Sequence, residues 1–283
     1  IAKKCISIAP NPYLTAMAQN DLGLALQNQG TRTAGAAGTA LLEDAVTAYR
    51  AALTIYTETD HPVEWAMAQN NLGNALANQG TRTVGAAGTT LIEDAVIAFR
   101  AALNVYTEAD HPIQLATTQN NLGNALTEQS TRTAGAAGTT LLEHAVTAYR
   151  AALTTRTEAD HPEDWATTQS NLAGALRVQG IRTTGAAGIT LLEDAVTACR
   201  AAQKAYAEAD HAVAWAGTQN NLAIVETAIA DNSATTDPRP HLEAALAHVD
   251  AALTVFDPEH MSHEHGLAIQ LRDHILSRLE DLS

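Results

Sequence analysis

Fifty residues into any block of this chain, the same block begins again, without slippage. His61-Pro62 returns as His111-Pro112 and His161-Pro162, and in weaker form as Asn11-Pro12 and His211-Ala212. Gln69-Asn70-Asn71-Leu72-Gly73 returns at 119–123, and Gly85-Ala86-Ala87-Gly88 has counterparts starting at 35, 135 and 185. Between 61–110 and 111–160, 34 of 50 positions are identical. Anything inside such a block is present about four times over. That argues against a single catalytic site within it and suits a surface built by tandem display.

Each block reads as two helices. The residue before proline avoids helical dihedrals and proline suits the first helical position, so His61, His111 and His161 are expected to cap the first helix. Trp65, Leu72 and Leu76 lie at helical spacing along one face. Gly80 is expected to end that helix or open the loop, with a loop at 81–89 leading to the second. Thr90 with Glu93 has the form of a capping box, repeated at Thr140/Glu143 and Thr190/Glu193 and broken by Ala40. The apolar set Leu91, Ile92, Ala95, Val96, Phe99, Ala102, Leu103 and Tyr106 fits a period of 3.6, giving a second helix of about 16–18 residues. Neither helix could bury its stripe alone; stacked neighbours do so.

Composition supports helix on helix. Hydrophobic residues make up 46% of the 283, but aromatics only 4%, so the apolar content is mostly Ala, Leu and Val. Strands want β-branched and aromatic residues instead. A net charge of -15 opposes phosphate backbones and disfavours nucleic acid as a partner. No apolar run approaches the roughly 18 residues of a membrane span. Two cysteines, Cys5 and Cys199, cannot make a disulfide framework. Cys199 fills the slot of Tyr49, Phe99 and Tyr149 and reads as a small buried hydrophobe. A cytoplasmic location is expected.

The run Asn71-Leu72-Gly73-Asn74-Ala75-Leu76, followed by Ala95, Phe99, Ala102 and Leu103, resembles a tetratricopeptide repeat (TPR). The resemblance covers about residues 11–260. In that family a small residue after the leucine lets the hairpin's two helices approach; Gly23, Gly73 and Gly123 fill that place, then Ala173 and Ala223. The 50-residue period is longer than the family's 34 by 16, ten of them at 81–90 and six at 110–115. The His-Pro…Asn-Asn-Leu phrase is also similar to the longer repeats of kinesin light chains and of bacterial TPR arrays, some of them joined to caspase-like CHAT peptidases or nucleotide-binding signalling ATPases. The resemblance implies an all-α, right-handed α-α superhelix, a TPR-like solenoid. Residues 1–10 would be the remnant of a preceding helix. Five hairpins would follow at 11–60, 61–110, 111–160, 161–210 and a divergent 211–260. Amphipathic residues 261–283 would form a C-terminal capping helix, the polar outer face with which a solenoid ends.

The amides are the most informative polar feature. Asn20, Asn70, Asn71, Asn74, Asn120, Asn121, Asn124, Asn171, Asn220 and Asn221 form a row along the first helices, interrupted by Asp21 and Ser170. The resemblance places this face on a concave groove that receives an extended peptide. The chemistry fits, because an amide both donates and accepts and can bond a peptide backbone whatever its side chains. The alternative is that the asparagines bond neighbouring helices and order the stack; both roles can share one row.

Other motifs carry less. The Gly-Ala-Ala-Gly tracts lack the preceding strand and following lysine of a phosphate loop and read as flexible turns, with a contact edge as the minor alternative. Arg32, Arg82, Arg132 and Arg182 in the same loops are expected to pair with local acids such as Glu43 and Asp44 or their equivalents, with anion or partner contact as the minor alternative. Arg50, Arg100, Arg150 and Arg200 are expected to be solvated or to pair with acids in adjacent turns. His260, His263 and His265 cluster beside Glu259 and Glu264, but read as caps and exposed residues rather than metal ligands. Adjacent acids such as Glu93/Asp94 favour the positive helix end. No nucleophile constellation is present. The expectation is a non-enzymatic scaffold without cofactor that binds a protein or peptide with basic segments. Two rivals remain open: the sensor or regulatory region of a larger signalling protein, and a structural solenoid that self-assembles as a homo-oligomer.

Overall fold

The computed structural model describes residues 11–206 and 211–283; the helix remnant expected at 1–10 lies outside them. The described residues are all-α, without strands. They form α1 (Pro12–Arg32), α2 (Gly35–Leu53), α3 (Pro62–Arg82), α4 (Gly85–Leu103), α5 (Pro112–Thr131), α6 (Gly135–Thr155), α7 (Pro162–Arg182), α8 (Ala186–Ala205), α9 (Ala212–Ala230), α10 (Arg239–Leu253) and α11 (Ser262–Glu280). The chain divides into two compact units, Ile1–Arg132 and Thr133–Ser283. In the first, α1 pairs with α2 and α3 with α4, α2 packs on α3 and α4 on α5, and the first helices α1, α3 and α5 touch in succession. In the second, α6 packs on α7, α7 pairs with α8, α8 packs on α9, α9 pairs with α10, and α11 covers α10. Within each unit, consecutive hairpins stack in solenoid fashion.

The joint between paired helices is much shorter than its sequence implies. The loop expected at 81–89 is two residues, Thr83 and Val84, because Gly-Ala-Ala-Gly forms the first turn of α4. Each glycine has its own task. Gly85 takes φ 70°, a left-handed conformation that reverses the chain and suits glycine. Gly88 passes so near the end of α3 that a Cβ would stand 1.9 Å from the Thr83 carbonyl oxygen. The same pair of tasks falls to Gly35 and Gly38, to Gly135 and Gly138, and to Gly185 and Gly188.

This early start corrects three expectations. The capping boxes do not form: Thr90 lies inside α4, where its hydroxyl donates to the Ala86 carbonyl at 3.2 Å, and Thr190 does likewise to Ala186 at 3.3 Å. The second helices α2, α4, α6 and α8 run 19, 19, 21 and 20 residues, longer than expected. Gly80 does not break α3. It lies within it, packed closely on the second helix: a Cβ there would meet Ile92 Cδ1 at 2.7 Å, and the same register position holds small buried residues, Ser130 and Ala230, in other hairpins.

The histidines correct a fourth. His61, His111 and His161 stand at the N-cap positions, but their side chains make no capping bond. His61 instead packs on Tyr13 and Tyr56 with ring centroids 5.4 and 5.7 Å away, and His111 on Tyr106 at 5.6 Å. Ring burial against tyrosine wins over capping, and leaves Nδ1 of His61 and His111 buried without a protein partner.

The middle of each hairpin is thin. A Cβ on Gly23 would lie 2.7 Å from the Tyr49 ring, and one on Gly73 2.7 Å from that of Phe99. Where Cys199 replaces the ring, the facing register position is Ala173; where Val249 replaces it, Ala223. All four of these smaller residues are buried.

Candidate functional site

The amide row resolves into two sets. In the first, Asn71 Nδ2 donates to Asn20 Oδ1 at 3.2 Å, and Asn121 Nδ2 donates to Asn70 Oδ1 at 3.2 Å. Thr118 Oγ1 donates to the same Asn70 oxygen at 3.2 Å. These are rungs between first helices of neighbouring hairpins, one amide giving and the next receiving. Asn20 is only 5% exposed, and Asn120 is buried. Asn171 and Asn221 are half-buried, and Asn220 keeps a buried Oδ1 without a partner.

The second set faces a groove between α3 and α5. Asn74, Asn121 and Asn124 line a cleft of about 170 Å³ with Asn78 and Glu128, over a floor of Ile92 and Phe99. A second cleft of about 170 Å³ lies further along the same two helices, lined by Met67, Asn70, Ile113, Gln114 and Thr118. The Asn70–Asn121 rung stands between them and lends one amide to each. Among the described residues, Asn74 makes no side-chain hydrogen bond, so its donor and acceptor are uncommitted. Met67 and Ile113 are each 40% exposed beside these amides. The sequence reading missed Met67, Asn78, Ile113 and Gln114. Their signal was the helical spacing of 67, 70, 74 and 78 along one face of α3.

Among the described residues Arg82 does not pair with a local acid, whereas Arg132 pairs with Glu128. Arg82 Nη1 donates to the carbonyls of Gly30 at 2.8 Å and Thr33 at 2.9 Å, and Nη2 to that of Thr31 at 2.9 Å. Arg132 donates to the carbonyls of Thr83 at 3.1 Å and Gly80 at 2.9 Å, and its Nε to Glu128 at 3.0 Å. Each guanidinium thus caps the end of the preceding hairpin's first helix. The last carbonyls there lack intrahelical donors and carry the negative end of the helix dipole. Of the second-helix arginines, Arg50 reaches Asp94 at 4.0 Å and Arg150 reaches Asp194 at 3.3 Å. These exposed pairs contribute little.

The fifth hairpin departs from the others in its interior. In register, Glu226 replaces Leu76, Leu126 and Leu176; His241 replaces Leu91, Leu141 and Leu191; His248 replaces Ala98, Ala148 and Ala198. The His241 imidazole donates from Nδ1 to the buried Glu226 carboxylate at 2.8 Å, and His248 Nδ1 donates to Gln219 Oε1 at 2.6 Å. Burial holds the His248 imidazole below its ordinary pKa; Glu226 opposes this and Arg200 adds to it. The Cys199 thiol is pushed up to about 12 by burial, with Arg177 pulling the other way.

His260 bonds Asp257 at 3.1 Å. Among the described residues no group of three His, Cys, Asp or Glu side chains is placed to hold a metal. No described helix is long and apolar enough to cross a membrane. No protein-family model matches the sequence, and no curated protein matches it.

Proposed function

We propose that this chain is a protein-interaction scaffold built from long TPR-like repeats, and that it binds an extended segment of a protein partner along the groove between α3 and α5. The observation that carries this is a succession of two clefts along the same two helices, one with the uncommitted amide of Asn74 and the next with half-exposed Met67 and Ile113. Amides satisfy a peptide backbone, and neighbouring apolar side chains add affinity and select residues. The net charge of -15 favours a partner with basic segments over nucleic acid. The fourfold block favours display over catalysis.

Panning a random peptide library on the chain tests this. Enriched peptides should be extended and rich in Lys or Arg, and should lose at least tenfold in affinity for an Asn74→Ala/Ile113→Asp variant of equal helicity. Peptides that bind wild type and variant equally would place recognition elsewhere and refute the groove.

A further inference from the structure

The repeat register isolates what is unusual about α1. In α3, Ala68, Leu72 and Ala75 are buried, Leu72 at 8% exposure. Ala68 clusters with Ala52 of α2, the second helix of the preceding hairpin, and with Tyr56 just beyond its end. α1 carries the same three residue types in register, Ala18, Leu22 and Ala25, and all three are exposed, Leu22 at 48%. Leu14, Met17 and Leu24 are exposed as well. At 100° per residue Ala18, Leu22 and Ala25 share an arc of about 60° on one side of α1, while Met17 and Leu24 stand in register with Met67 and Asn74 of the groove.

Two polar positions make the same point. Arg32 is in register with Arg82 and Arg132, whose guanidiniums bond the joint carbonyls of the preceding hairpin. Among the described residues Arg32 has no hydrogen bond and no ion pair. Asn71 and Asn121 each donate to an amide oxygen of the preceding first helix, whereas the same position in α1 is Asp21, whose carboxylate can only accept.

We propose that this face of α1 is a docking surface for a further hairpin of the same repeat, lying N-terminal to α1 in the same polypeptide. Its second helix would lie on Ala18, Leu22 and Ala25, as α2 packs on α3 with Ala52 against Ala68. The carbonyls of its interhelix joint would take Arg32. Asp21 sets a condition on that hairpin: where Asn20 and Asn70 stand as acceptors, it must offer a donor, from an amide, Lys or Arg. A second copy of this chain does not fit in the same way, because α10, the last second helix, is already covered by α11.

Two measurements test this. The first is the intact mass of the polypeptide isolated from its source. It should exceed 29.7 kDa by at least the mass of one 50-residue block, and a mass of 29.7 kDa would overturn the proposal. The second compares maleimide labelling of Leu22→Cys, in a Cys5→Ser background, in two chains: the 283-residue chain, and the same chain with a duplicate of residues 11–60 inserted ahead of Asn11. The duplicate should slow labelling at least tenfold, and Arg32→Ala should lower the unfolding midpoint only when the duplicate is present. Equal labelling in the two chains would overturn the proposal. So would dimerisation of the 283-residue chain that Leu22→Asp abolishes, since the occupant would then be a second copy. Slow labelling in the 283-residue chain that becomes fast on deletion of 1–10 would also overturn it.

Discussion

The thin middle of each hairpin rests on single atoms. Gly73 has room for hydrogen only, because the Phe99 ring lies where a Cβ would go. Gly217 sits in the interior of α9 with nothing within 4 Å of its Cβ position. The same substitution should therefore act with opposite sign at the two sites. Gly73→Ala gains about 1 kcal/mol of helix propensity, but overpacking a closed core costs about 1–3 kcal/mol. A net loss is expected, while Gly217→Ala should gain about 0.5–1 kcal/mol. Urea unfolding midpoints read both, and a stabilising Gly73→Ala would show that the ring can move. The small residue after the leucine was legible in the sequence, as was the exchange of ring for Cys199. That the two change together, Gly with a ring and Ala with Cys or Val, needed the pairing of the helices. Gly80 was misread because glycine also ends helices; here the position calls for a small residue against the second helix, as Ser130 and Ala230 in register show.

Helices carry the next lesson. Their number, order and apolar faces were legible from period and punctuation, but their ends were not. Thr90 and Glu93 have the form of a helix start, yet Gly85 and Gly88 let the chain turn five residues sooner. The helix then extends because the hairpin packs along its whole length. Arg82 was misplaced for the same reason: a loop of nine residues would have left it among local acids, whereas a two-residue joint sets it against the preceding helix end, and Arg132 makes that contact beside its pair with Glu128. The pair α9 and α10 has the most distinctive interior. Its leucine and alanine positions hold Glu226, His241 and His248, a replacement visible in the sequence once the register is followed. The His248 pKa is depressed in the folded state, so the unfolded chain binds the proton more readily. The neutral imidazole's contribution is present above its ordinary 6.5 and is lost as pH falls below that value. Glu226 and Arg200 face it, from α9 and α8. The expected result is an unfolding temperature that drops between pH 7 and 5 in the wild type and drops less in His248→Ala, the residue the other hairpins hold. Parallel pH profiles for the two chains would remove His248 from the account.

In the first unit, the link between the first two hairpins has three parts: the buried Ala68-Leu72-Ala75 face, the Asn71–Asn20 rung and Arg82 on the joint. Stability in such arrays comes from each block's own fold plus its interfaces with the next. The amide row was legible as a row, but its division was not. The spacing that lets Asn71 reach Asn20 differs by less than one helical turn from the spacing that points Asn74 into the groove. That division is the centre of the account, because it separates what holds the hairpins together from what is available to a partner. Urea unfolding of Asn71→Ala beside Asn74→Ala measures it most directly, on two like substitutions three residues apart on one helix. Asn71→Ala should cost about 1–3 kcal/mol by leaving the buried Asn20 oxygen without its donor. Asn74→Ala should leave stability within about 0.5 kcal/mol. Equal losses at both positions would make Asn74 another structural amide, and a neutral Asn71→Ala would remove the rung from the account.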